Sequence, residues 1–121
     1  MTCPFCDVDR ETILETEFAY AIFDGFPVSK GHALVIPKCH VADIFELDEV
    51  EYQRCFELVR AVRLELGRRF NTNAFNIGVN CGASAGQTVS HAHIHIIPRY
   101  DGDVKNPRGG VRHIIPGKGD Y

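Results

Sequence analysis

The run His91-Ala92-His93-Ile94-His95-Ile96-Ile97 constrains this 121-residue chain more than any other stretch. Imidazole and small or aliphatic side chains alternate through it. Alternation is the period of a β-strand, whose successive side chains point to opposite faces. The pattern predicts a strand from Thr88 to Pro98, with His91, His93 and His95 on one face and Ala92, Ile94 and Ile96 on the other. Same-face neighbours stand about 6.7 Å apart, so the outer two histidines are separated by roughly 13 Å. Two adjacent imidazoles could share a metal ion, but three on one ion would need unusual reach. A division of labour fits better. A merely solvated sheet face rarely carries His three times in five residues. Nucleophilic or acid–base catalysis uses the group well, because neutral imidazole is abundant near pH 7 and attacks phosphorus or carbonyl carbon. A metal site is the second reading.

The preceding segment, Gly82-Ala83-Ser84-Ala85-Gly86-Gln87-Thr88, is small and rich in backbone N–H groups. Such a loop can form an anion-binding nest. Placed before a row of histidines, it suggests a phosphoryl group presented to an imidazole.

The rest of the chain supplies a compact α+β frame. Glu17 to Phe23 reads as a strand closed by Asp24-Gly25, and His32 to Ile36 as its antiparallel partner, joined through a loop around Pro27. Asp48 is a helix N-cap with Glu51 as capping-box partner. Tyr52, Cys55, Val59, Val62, Leu66 and Phe70 then mark one apolar face of a helix of roughly twenty residues. Acids at its start and arginines in its later half suit the helix dipole. Ala74 to Val79 reads as a further strand. The expected organisation is a single domain over residues 1–121, with 101–121 an irregular Gly- and Pro-rich tail lying along a surface, that of a partner subunit included. Net charge is −3, so a broad basic footprint for nucleic acid is not expected. No apolar run approaches the roughly 20 residues that span a bilayer. Met1 to Arg10 lacks a leader pattern, so the expected location is cytoplasmic, with no membrane partner.

Five cysteines and six histidines are many for this length. An odd cysteine count in a reducing compartment favours metal or redox chemistry over a disulfide framework. Cys3-Pro4-Phe5-Cys6 has the spacing of a metal knuckle. Neither a strand before it nor a helix pattern after it supports a thioredoxin-like site. Two further ligands are needed, and spacing alone leaves His32, His40, His91 and His113 open. Cys55, on the apolar helix face, reads as core. Nothing requires Cys39 or Cys81 to be ligands.

The His-x-His-x-His run, its Gly86-Gln87-Thr88-Val89 lead-in, Asp24 after an apolar strand, Gly31-His32 before Leu34-Val35-Ile36-Pro37, and the helix from Asp48 together resemble the histidine-triad (HIT) nucleotide hydrolases and transferases. The resemblance covers nearly everything from Cys3 to Arg99, and the triad with its lead-in is its specific part. It implies an α+β fold, an antiparallel meander with one long helix, in a homodimer that joins two sheets. It also implies a hydrolase whose substrate is a purine nucleotide with a substituted α-phosphate, either a dinucleoside polyphosphate or a nucleoside phosphoramidate. His93 resembles the nucleophile that forms a nucleotidyl-imidazole intermediate, from which water releases the nucleoside monophosphate. By the same resemblance His91 orients His93, His95 and His32 line the phosphate site, Asn80, Gln87 and Thr88 bind phosphate, and Asp24 binds the ribose hydroxyls. Members with the paired cysteines bind structural zinc through residues matching Cys3, Cys6, His40 and His91. No organic cofactor is implied. Two alternatives stay open: a nucleotidyl transferase or phosphorylase, and a zinc-stabilised nucleotide-binding protein with little turnover. Arg108 and Arg112, in a segment resembling bacterial members nearer the dinucleotide branch, either reach a second phosphate or nucleoside or are solvated.

Overall fold

The structure, a computed structural model, describes residues 3–6 and 9–121; Met1, Thr2, Asp7 and Val8, part of the stretch read for a leader, lie outside them. Five strands form one antiparallel sheet: β1 (Leu14–Glu15), β2 (Ala19–Phe23), β3 (Ala33–Pro37), β4 (Ala74–Val79) and β5 (Ile94–Arg99). Their order across the sheet is β1-β2-β3-β5-β4. The first three form a meander, and β5 enters between β3 and β4. One helix, α1 (Glu49–Phe70), links β3 to β4 and packs on β2, β3 and β5.

The period of two sorts the sheet into two faces. Ala19, Ala21, Ala33, Val35, Ile94 and Ile96 point to the helix, where Cys55, Leu58, Val59, Val62 and Leu66 meet them in the main core. The small alanines of β2 and β3 let the helix come close. Tyr20, Ile22, Leu34 and Ile36 point the other way and form a second, smaller cluster with Phe5 of the N-terminal segment. All five residues of β3 are buried, as a central strand covered on both faces requires.

The helix is close to its expected form. Asp48 caps it by accepting from the Glu51 N–H at 2.8 Å, and Asn71 closes it with left-handed geometry. The reciprocal half of the expected capping box is not found at Glu51. A complete box stands just upstream instead, at Asp43 and Glu46, around a 3-10 turn over Ile44–Glu46. The buried helix stripe also includes Leu58, while Tyr52 and Phe70 are only half-buried.

The largest departure from expectation is at the histidine strand. Regular pairing begins only at Ile94, so His91 and His93 precede β5 and only His95 lies within it. The physical reason is that residues 88–93 turn their hydrogen bonds elsewhere. The Ala92 N–H donates to the Val41 carbonyl at 2.7 Å, and the His91 ring donates to Pro37. The tail folds back on the chain, with a 3-10 turn over Gly110–Ile114. Among the described residues no helix is long and apolar enough to cross a membrane.

Candidate active site

The sheet face turned away from α1 carries a cleft of about 500 Å³. Phe5, Asp24, Asn80, Thr88, His93 and His95 line it. Two sets of imidazoles meet there, and the hydrogen-bond partners of each ring fix which nitrogen carries its proton.

His93 Nδ1 lies 2.9 Å from the His91 backbone carbonyl. A carbonyl can only accept, so Nδ1 bears a proton, and in the neutral ring the lone pair is on Nε2. His91 thus orients His93 through its main chain.

Behind His93 runs a relay. The Val28 N–H donates to His32 Nδ1 at 3.1 Å, which puts the His32 proton on Nε2. That Nε2–H points at His95 Nδ1, 2.9 Å away, so His95 in turn carries its proton on Nε2. Val28 is held in place because its loop is tied to β5: the Ser29 hydroxyl donates to the Pro98 carbonyl and the Tyr100 hydroxyl to that of Lys30. Burial holds both His32 and His95 below the usual imidazole range. The neighbouring His93 and His32 rings lower His95 further, and the Asp24 carboxylate opposes the shift at both. His32 is buried behind His95 and does not line the cleft.

Asp24 does two things. Its Oδ1 accepts from the Phe26 N–H at 2.9 Å, capping the turn, and its Oδ2 lies 3.4 Å from His32 Nε2. Asp24, His32 and His95 are close enough to suggest a metal site. The tautomers argue against it, because the Val28 N–H leaves the His32 Nε2 protonated and unable to ligate.

The loop before His91 is laced by Gln87. Its Oε1 accepts from the Gly82 N–H at 2.9 Å, and its Nε2 donates to the Ala42 and Val89 carbonyls at 2.8 and 2.9 Å. Expected as a phosphate ligand, Gln87 stands here as a brace with its amide committed to the loop. Gly82 and Gly86 both have φ of +92°, which favours glycine. Thr88 and Asn80 remain at the cleft.

On the far side of His91, four ligand atoms converge. Cys3 Sγ and Cys6 Sγ lie 3.3 and 3.5 Å from His91 Nδ1, and His40 Nδ1 lies 3.0 Å from Cys6 Sγ and 3.1 Å from His91 Nδ1. All four atoms lie within 4.8 Å of one another. A tetrahedral zinc with these ligands would separate sulfur and nitrogen by about 3.5 Å. The His91 Nε2–H donates to the Pro37 carbonyl at 2.7 Å, so Nδ1 is bare and faces the sulfurs. That is the second-shell arrangement metal-binding histidines use. The donor set therefore fits zinc.

The sequence did not reveal Val28, Pro37 or Tyr20 as parts of this architecture, because each acts through the backbone or on it. The Tyr20 hydroxyl donates to the Phe5 carbonyl at 2.6 Å and pins the knuckle to the sheet. Cys55 is core, and burial pushes its thiol up to about 12. The tail also resolves. His113 Nε2–H donates to the Arg108 carbonyl at 2.7 Å, and the Arg108 and Arg112 guanidinium groups lie 4.5 and 4.8 Å from the Tyr121 ring centroid. Neither arginine lines the cleft. A second hollow of about 480 Å³ shares Asn80 and His95 with the cleft and is walled by Val111 and Ile114 of the tail.

Comparison with known proteins agrees with this geometry. A family model described as the HIT domain matches residues 7–102. The chain is similar to an adenosine 5'-monophosphoramidase of Schizosaccharomyces pombe, 38% identical over 104 residues, covering 82% of this chain and 75% of the relative. It is similar also to a bis(5'-nucleosyl)-tetraphosphatase (asymmetrical) of the same organism, 38% identical over 96 residues, 79% of this chain and 53% of the relative. A crystal structure of a HIT family protein from Bacillus anthracis superposes with a TM-score of 0.78 at 39% identity, covering 84% of this chain and 75% of that one.

Proposed function

This chain belongs to the HIT domain family, and on that footing we propose that it is a nucleotide hydrolase that cleaves at a substituted α-phosphate through a covalent nucleotidyl-His93 intermediate. The observation that carries the reading is the His93 tautomer: Nδ1–H is given to the His91 carbonyl, and the Nε2 lone pair is left free to attack. Neutral imidazole with a bare nitrogen in a cleft is an activated nucleophile without further help.

In the proposed reaction, Nε2 of His93 attacks the α-phosphorus, the N–P bond forms, and the bond to the substituent breaks with its electron pair on the leaving atom. The relay from Val28 through His32 presents the His95 Nε2–H to a phosphoryl or leaving-group oxygen or nitrogen. Asn80, Thr88 and the loop N–H groups meet the remaining phosphoryl oxygens with neutral donors, whose effect is largest where water is excluded. Asp24 accepts from the ribose hydroxyls. Water then attacks phosphorus and gives up a proton to solvent, the N–P bond returns its electrons to His93, and the nucleoside monophosphate leaves. The hollow beyond Asn80 and His95 gives the substituent a way out.

Cys3, Cys6, His40 and His91 would hold zinc, which when bound supplies a structural cross-link between the N-terminal segment and the segment entering β5. A homodimer is proposed across β4, the longer of the two free sheet edges, with two sheets joined there. The relatives named above act on both substrate types, so the leaving group is left to assay: adenosine phosphoramidate and diadenosine polyphosphates are each offered to purified protein. AMP release that His93→Ala abolishes supports the proposal. Unchanged release by that variant refutes it.

A further inference from the structure

The knuckle places its one large apolar side chain against the proposed nucleophile. The Phe5 ring centroid lies 5.1 Å from that of His93, with planes 67° apart, and 6.0 Å from that of His91, at 85°. On its other flank His93 meets His95 at 5.1 Å and 66°. The His93 ring is thus held by one hydrogen bond and two edge contacts. A single hydrogen bond at Nδ1 tolerates a range of ring torsions, because the outer torsion of histidine is broad, so the flanking rings narrow where Nε2 points. His95 is fixed by its relay. Phe5 is fixed at three points of its own. Its carbonyl accepts the Tyr20 hydroxyl, its ring packs on the Tyr20, Ile22, Leu34 and Ile36 cluster, and the sulfurs on either side of it join the His40 and His91 cluster.

We propose that Phe5 is a positioning residue for His93, and that through this ring the state of the Cys3–Cys6–His40–His91 cluster governs the aim of Nε2. The first part rests on His93 as nucleophile and the second on zinc at the cluster. Loss of the metal frees both ends of Cys3–Cys6, and Phe5 then leaves the flank of His93. His91 is not enough by itself, because it reaches His93 only through a backbone carbonyl at the other nitrogen.

The test is Phe5→Leu in metal-loaded protein, with Phe5→Tyr as the variant that keeps the ring. Two measurements are made: steady-state hydrolysis of adenosine phosphoramidate, and imidazole nitrogen NMR of His93 in ligand-free protein. The expected result is full zinc content, a fall in kcat of about 10- to 100-fold, the scale of a roughly 1 Å misplacement, and little change in KM. The His93 signals should broaden or shift toward a mixture of tautomers. Phe5→Tyr should restore both readouts. Chelation of the unaltered protein should give the same His93 signature, and chelation of Phe5→Leu should add little. Should Phe5→Leu lose its metal, Phe5→Met, of similar volume, takes its place.

A rise in KM with kcat intact overturns the proposal, since Phe5 would then be a wall for the nucleoside. So do unchanged His93 signals in a metal-loaded variant. So does loss of metal by both replacements, since Phe5 would then be holding the knuckle. If the unaltered protein hydrolyses no substituted nucleotide, the functional reading fails, while the NMR arm still judges Phe5.

Discussion

Replacing Gln87 by Glu exchanges one heavy atom and should disable the loop before His91. The Gln87 amide makes three hydrogen bonds, one accepted from Gly82 and two donated to Ala42 and Val89. A carboxylate keeps the bond from Gly82. It also turns the donor nitrogen into an oxygen facing two carbonyl oxygens at 2.8 and 2.9 Å. Each lost neutral bond costs about 1 kcal/mol, and the carbonyl repulsion brings the total at neutral pH to about 2–3 kcal/mol. Gln87→Ala loses all three bonds, but water can reach these exposed groups, so about 1–2 kcal/mol is expected. Only Gln87→Glu adds a pH dependence. Repulsion raises the folded-state pKa of the new carboxyl above its unfolded value of ~4.3, so the folded chain binds more protons and stability falls as pH rises through that window. Urea unfolding at about pH 5 and about pH 7.5 should show the deficit of Gln87→Glu relative to Gln87→Ala growing with pH. Both variants should lower kcat, since the loop carries Thr88 and leads into His91. Two variants as stable as the unaltered protein, with only KM raised, would show that Gln87 touches the substrate, and the brace argument would fail.

Chelation should remove about one zinc per chain and lower the melting temperature by roughly 10 °C or more, read by calorimetry and elemental analysis; a chain purified without zinc and with an unaltered melting temperature would refute the site. His32 and His95 are held below the usual imidazole range by burial. Their contribution is therefore complete above the unfolded value of ~6.5 and is lost as pH falls below it. Stability should drop between about pH 7 and about pH 5, and His95→Asn should flatten that slope in urea titrations. Gly31→Ala should destabilise, because φ is +88° and a Cβ would stand 2.7 Å from the Phe70 ring. Leu66→Ala, at a fully buried helix position, should cost about 2–5 kcal/mol in the same assay while leaving KM unchanged.

The sequence made different parts of this molecule legible to different depths. The helix was readable because burial repeats at its own period, and β4 because its small stretch is bounded on both sides. His93, His95, Asp24, Asn80 and Thr88, singled out in the sequence for the chemistry of their side chains, all line one cleft. Residues 91–93 were not readable as a departure from strand, since alternation persists where the backbone leaves the sheet to bond with Val41. The protonation pattern was hidden for a related reason. It is set by the Val28 N–H and by the carbonyls of Pro37 and His91, groups every residue type offers equally. Gln87 showed the reverse difficulty. Its amide suits phosphate and loop alike, and its bonds to Gly82, Ala42 and Val89 depend on positions that no local pattern reveals.

His91 serves three neighbours at once: Nδ1 faces the cysteines, Nε2–H holds Pro37, and the main-chain oxygen holds His93. A mutational scan would therefore misfile it. Substitution at 91 would abolish turnover and score the residue with the nucleophile, although its buried ring does not line the cleft and the carbonyl that orients His93 survives every replacement. The informative exchange is one ligand for another. His91→Cys would keep a metal donor while forfeiting the Pro37 bond and the ring contacts with Phe5 and His40, so its phenotype separates ligation from the rest where alanine conflates them.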